Sequence, residues 1–268
     1  MVSANIASII RLGFFFGILI LVAIWELLSP RRTLTVSKTV RWFGNLAIVF
    51  INPLLVRLIL PILPVGMAAL AQERGWGLFN NFSVPYWLAV AVGVMAQDCI
   101  IYIQHVMVHA VPLLWRVHSM HHTDMDFDVT TGLRFHPIEI VISMVIKLAA
   151  VVVIGLPVLA VIMFEVLLNG TAMFNHGNIY VPLGIDRVLR LLVVTPDMHR
   201  VHHSVIGSEG NKNFGFNLPW WDRIFGTYRD QPEAGHEGMT IGLTRFQDAK
   251  HLSLHRMLAH PFMAGKGK

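Results

Sequence analysis

Three runs of about 20 apolar residues, Ile6 to Leu28, Trp42 to about Leu63 and Tyr86 to about Met107, restrict this chain to folds that a bilayer tolerates. In lipid no water satisfies a stray backbone N–H or C=O, so such runs cross as helices, whose hydrogen bonds close within the segment. The first run is long and lacks a small-residue cleavage site, which favours an anchoring span over a secretory signal. A fourth run, about Ile138 to Leu168, is too long for one untilted helix and is broken by Gly155-Leu156-Pro157, so a short helical hairpin fits it. Charged residues make up only 14% of the chain, against about 25% in soluble domains. The expected architecture is all-α: an integral membrane helical bundle of about three full spans (6–28, 42–63, 86–107) plus the hairpin (138–168). A cytosolic helical cap, residues 109–137 and 171–228, completes one catalytic unit over 1–228, and a polar tail follows over 229–268.

Arg31, Arg32, Lys38 and Arg41 crowd the first loop, whereas the loop from Gln72 to Pro85 carries Arg74 as its one basic residue. The positive-inside rule therefore predicts a multi-pass protein with the first loop, the segment from His109 to His136, the residues from His176 onward and the C-terminus on the cytoplasmic face. Cys99, the single cysteine, excludes an intrachain disulfide and any cysteine-built zinc or iron–sulfur site within one chain. The net charge of +5 comes without a basic stripe interleaved with aromatics, so nucleic acid is not an expected partner.

Eight of the fourteen histidines fall into three groups: His105-Val-Met-Val-His109, His118-Ser-Met-His121-His122 and His199-Arg-Val-His202-His203. Residues three and four apart share a helix face, so each group can aim imidazoles at one point. One metal normally takes three or four protein ligands, which makes each group half a site. Asp98 and Tyr102 continue the stripe of His105 and His109 at spacings of four, three and four, and a carboxylate inside a span is costly enough to mark function. Asp98 is placed to accept a hydrogen bond from a ligand imidazole or from Tyr102. His136 and His176 stand alone and suit a ligand or a structural role equally, while His236, His251, His255 and His260 read as surface residues.

The first group is not the His-Glu-x-x-His motif of a zinc protease, because Val106 and Met107 offer no base. Haem needs one or two axial histidines, and soluble di-iron bundles use buried glutamates in Glu-x-x-His pairs, which this chain lacks. Neutral nitrogen donors in this number suit iron, zinc or copper, and at a bilayer surface the natural substrate is a lipid.

These groups resemble the fatty acid hydroxylase and sterol desaturase superfamily, whose pattern is His-x3-His followed by two His-x2-His-His motifs. The resemblance covers roughly Tyr86 to Tyr228 and includes Leu114-Trp115-Arg116-Val117-His118, Thr130-Thr131-Gly132-Leu133-Arg134-Phe135-His136-Pro137, His176-Gly177-Asn178, Thr195 to His203, Asn213-Phe214-Gly215 and Trp221 to Thr227. The last of these motifs are most similar to the sterol desaturase and alkylglycerol monooxygenase branches. The resemblance implies a non-haem di-iron centre that uses O2 to hydroxylate or desaturate a lipid C–H bond, with zinc taking the place of the two irons after heterologous expression. It also implies an external electron donor, a reductase, ferredoxin or cytochrome b5-like carrier. Carried over residue by residue, the ligands are His105, His109, His118, His121, His122, His136, His176, His199, His202 and His203. Val106 and Ala172 depart from the pattern where many members carry an arginine and a polar or ligating side chain, and a water held by Asn178 is the expected substitute for the missing ligand. Asp98, Tyr102 and Asn178 are thus the candidate catalytic residues. A di-zinc hydrolase and a membrane metal-binding protein without redox activity are the competing classes. Transport fits poorly, because the polar residues occupy one span instead of recurring along a path.

Overall fold

In the computed structural model, which describes residues 4–263, the apolar runs are helices: α1 (Ala4–Leu28), α2 (Lys38–Ile59), α3 (Pro64–Arg74) and α4 (Tyr86–Ala110). Then come α5 (Pro112–His122), α6 (Pro137–Ile154), α7 (Val158–Asn175), the short α8 (Pro196–His202) and α9 (Leu254–Met263). Among the described residues there is no strand, only the isolated bridges Pro30–Ile179 and Ser204–Ile241. Among the described residues five apolar segments are long enough to cross a membrane, the second running from Lys38 through α3 to Asn81. Their outer faces carry exposed Leu21, Leu27, Phe43, Phe50, Leu58 and Trp87, as lipid contact requires. This is a helical membrane bundle.

Prolines set the helix starts. Pro112, Pro137 and Pro196 each occupy a first-turn position, where the missing N–H costs nothing. The expected hairpin forms as α6 and α7, with arms of 18 residues, each about 27 Å long at 1.5 Å per residue. Gly155 makes its turn in the left-handed region, at φ 73°. That turn lies against the connection after α3: a Cβ on Gly77 would sit 2.2 Å from the Gly155 backbone nitrogen, so only glycine fits there.

At the opposite end the α1–α2 connection is stitched to the histidine-bearing segments. Arg31 N donates to Asn178 O at 2.9 Å and its guanidinium pairs with Asp197, while Arg41 pairs with Asp124 at 2.7 Å and with Asp128, all three wholly buried. Burial alone would raise the Asp124 pKa, but Arg41 and Arg134 hold it down to about 2. The basic residues of the first loop are therefore structural partners of the cap. The expected polar tail differs from expectation as well. Its residues up to Met263 fold back, with α9 packed on α5 and α2, and its last five, 264–268, lie outside the described residues. His236 and His260, read from sequence as surface, are buried: His260 hydrogen-bonds Ser119 Oγ at 2.9 Å, and His236 lies 3.6 Å from Asp197. His255 is exposed and His251 half-buried.

Candidate metal centre

α4 ends at Ala110 and, after the single extended residue Val111, α5 begins with Pro112, a break that turns the chain and brings His118, His121 and His122 opposite His105 and His109. α8 is capped by Thr195, whose hydroxyl accepts from Met198 N, and presents His199, His202 and then His203 to the same region. His176 arrives at the C-terminal cap of α7. The result is two adjacent groups, His105, His109, His118, His122 and His202 in one, His121, His176, His199 and His203 in the other, with the ligating nitrogens of each within 4.8 Å of one another. All nine are buried.

The spacing of the donors is informative. His109 Nε2 lies 3.1 Å from His122 Nε2, which lies 3.3 Å from His118 Nε2; His176 Nε2 lies 3.1 Å from both His121 Nε2 and His199 Nε2. Two ligands at about 2.1 Å from one ion are about 3.0 Å apart at a right angle and about 3.4 Å apart at the tetrahedral angle. The outer nitrogens fix the tautomers. Nδ1 of His105, His121, His176 and His202 donates to the backbone carbonyls of Phe214 (2.7 Å), Arg134 (3.2 Å), Ala172 (2.7 Å) and Lys212 (2.8 Å), and Nδ1 of His118 meets Glu139 Oε1 at 2.7 Å. A carbonyl only accepts, so in the four rings facing one the proton is on Nδ1 and a lone pair is on Nε2. His121 and His176 therefore face each other at 3.1 Å lone pair to lone pair, an arrangement that a cation between them relieves. His105 Nε2, His202 Nε2 and both nitrogens of His203 are buried with no hydrogen-bond partner. Burial and the neighbouring imidazoles also push His121, His122, His199 and His203 well below the usual histidine range, and His176 and His202 down to about 3. Neutral nitrogen donors of this number fit transition-metal ions.

The supporting shell contains residues that spacing did not reveal. Glu139, in the first turn of α6, orients His118; its only sequence signal is a carboxylate at the mouth of an apolar run. Gly132 lets the 130–136 segment lie against α7, since a Cβ there would sit 2.3 Å from Ala172 O, the carbonyl that orients His176. The departure at Ala172 is thus a position used through its backbone. Arg134, fully buried, donates to Asn45, Thr123 and Met120 O while its own carbonyl holds His121.

Other sequence candidates lie further out. His136 is outside both groups: Nδ1 caps Ile138 N at 3.2 Å and Nε2 meets Leu258 O at 3.1 Å. Asn178 uses both ends of its amide on the backbone of Arg32. Asp98 touches neither an imidazole nor Tyr102; it accepts from Trp221 Nε1 (2.9 Å), Leu218 N (3.2 Å) and Asn217 N (3.4 Å), and so fastens the 213–228 segment to α4. Tyr102 helps, through Thr227 Oγ1 at 2.8 Å and by stacking on Phe225.

Two cavities meet the histidines from opposite sides. One of about 410 Å³ runs from His105 and His118 down between the spans, and one of about 430 Å³ reaches His109, His122 and Trp115 from the cap, between residues 204–211 and 243–246.

The family model described as fatty acid hydroxylase matches residues 90–227. The chain is 28% identical over 184 residues to an ornithine lipid hydroxylase of Rhizobium tropici, covering 68% of this chain and 54% of that protein. It is 30% identical over 181 residues to the alkylglycerol monooxygenase of Homo sapiens, covering 65% of this chain and 39% of that one. A methylsterol monooxygenase of Arabidopsis thaliana is 24% identical over 169 residues, covering 62% and 63%. The chain thus spans about half the length of the first of these relatives and about two fifths of the second. No solved structure matches it.

Proposed function

The chain belongs to the fatty acid hydroxylase family, and from that premise we propose that it is a membrane-bound oxidoreductase that uses O2 to hydroxylate or desaturate a C–H bond of a sterol, fatty acyl or ether lipid. The observation that carries this reading is the facing pair of Nε2 lone pairs on His121 and His176 within nine buried histidines. His105, His109, His118, His122 and His202 form one ligand set, and His121, His176, His199 and His203 the other. Two bound irons supply the O2 activation and electron transfer that protein side chains lack.

The protein's own share is placement. Nδ1 hydrogen bonds lock the ligand rings, so that little reorganisation accompanies metal loading. Phe135 stacks on His121, and Phe214 lies edge-on to His105 and His109; these rings keep water from the nitrogen donors. The cavity between the spans receives the lipid chain and brings it against His105 and His118. Asp98, Tyr102 and Asn178 act by positioning, the first two on the 213–228 segment and the third on the first loop. Electrons come from a separate reductase, ferredoxin or cytochrome b5-like carrier docking on the cap, which faces the cytoplasm.

Anaerobically purified protein should hold about two irons per chain, or two zincs after heterologous expression, and His118→Ala or His202→Ala should abolish turnover and lower that content. Lipid mass spectrometry of cells with and without the active protein identifies the product. One metal or none in fully loaded wild-type protein would overturn the reading.

A further inference from the structure

The cavity between the spans is lined near the histidines by Gln104 and Glu139 among apolar side chains, and carries a second set of charges at its deep end. Arg11 on α1 pairs there with Glu165 on α7, tying together helices 154 residues apart in sequence. That pair alone explains itself as a brace. Lys147 on α6 lines the same cavity and feels the Glu165 carboxylate through space, although among the described residues its ammonium has no hydrogen bond or close ion pair of its own. Arg57, near the end of α2, lines the cavity as well. Arg57 is exposed, so the charges inside the spans are Arg11 and Lys147 sharing the one carboxylate of Glu165, where an ionisable group is costly unless it serves a ligand or a path. The other end of the cavity is the His105–His118 wall.

Resting on the lipid-oxidation reading, we propose that this cavity takes a single-chain amphiphile with an anionic end group, held at Lys147 and the Arg11–Glu165 pair, with its chain running up to His105 and His118. Lys147 lies eight residues beyond Glu139, the partner of His118, on the same helix, which is about 12 Å along the axis. The carbon delivered to the metal centre is therefore remote from the charged group. A carboxylate and a phosphate monoester share the required chemistry.

The test is equilibrium binding to the purified full-length protein in neutral detergent, read by displacement of a fluorescent fatty acid. Palmitate and lysophosphatidate are compared with their uncharged counterparts, methyl palmitate and monopalmitoylglycerol. At least one acid should bind about tenfold or more tighter than its uncharged counterpart, and Lys147→Met should remove that difference while Lys147→Arg keeps it. The acid that shows the preference identifies the end group. Glu165→Gln, which raises the local positive charge, should keep or increase it, and serves where Lys147→Met fails to fold. Equal affinity for acid and uncharged analogue, a preference that survives Lys147→Met or is lost in Glu165→Gln, or no binding of any of the four overturns the proposal. Binding is read without turnover, so a negative result here is distinct from a failure of the metal count or the product analysis.

Discussion

His118 and Glu139 show how a metal ligand depends on a residue that does not touch the metal. The Glu139 carboxylate at 2.7 Å holds the His118 Nδ1 proton, and replacing it by an amide weakens that hold without emptying the space. Glu139→Gln should lower metal affinity about 10- to 100-fold at the five-histidine group, read by chelator competition, with thermal stability of the loaded protein little changed. Gly132→Ala acts on the other group. Its Cβ would displace the carbonyl of Ala172, so His176 should lose its orientation and the four-histidine group its metal, at a stability cost of about 1–3 kcal/mol. Retention of two metals by Gly132→Ala would show that α7 yields more easily than this packing implies. Eight of the ligand candidates are legible from spacing alone, because i, i+3 and i+4 recurrence of one rare side chain has few other causes. His136 and His176 look alike in sequence; they differ because His176 ends α7 beside α8, whereas both nitrogens of His136 are committed to its own helix start and to Leu258.

At the scale of elements, the spans are legible because hydropathy reports contact with lipid, and their ends less so because hydropathy does not report partners. α2 begins at Lys38, not near Trp42, since Arg41 is buried against Asp124 and Asp128. The tail reads as polar by composition, yet Leu254, Met257 and Leu258 recur at helical spacing, and α9 packs by that face. Asp98 belongs to this scale too. Correct spacing put it on the face of His105, but its carboxylate serves three donors of the 217–221 segment. Asp98→Asn should therefore lower stability by about 1–3 kcal/mol while folded molecules keep their full metal. Iron content and thermal unfolding measured on one preparation decide it; metal loss without loss of stability would return Asp98 to direct support of a ligand.

For the molecule as a whole, the first loop and the histidine groups share one end and the Gly77–Gly155 contact marks the other. Tags in the 29–37 loop and at the C-terminus should report the same side, and a tag within 72–85 the opposite one. With the basic residues largely on the first of these ends, that side should be the cytoplasm. A tag in 72–85 on the same side as the C-terminus would break the arrangement of spans.

The pairing of the first helix with the seventh also bears on how the protein is made. Glu26 near the end of α1 receives backbone N–H groups from Val129 and Asn178, the latter 152 residues away. At about 5–20 residues per second, the ribosome needs about 8–30 s after finishing α1 to deliver that partner. For that interval Glu26 has Lys38, and later Val129, as its partners, but the α7-facing side of α1 stays uncovered. Nascent chains of this protein should therefore linger with the insertion machinery, and one stalled before α7 should be a substrate for membrane quality control rather than a stable intermediate.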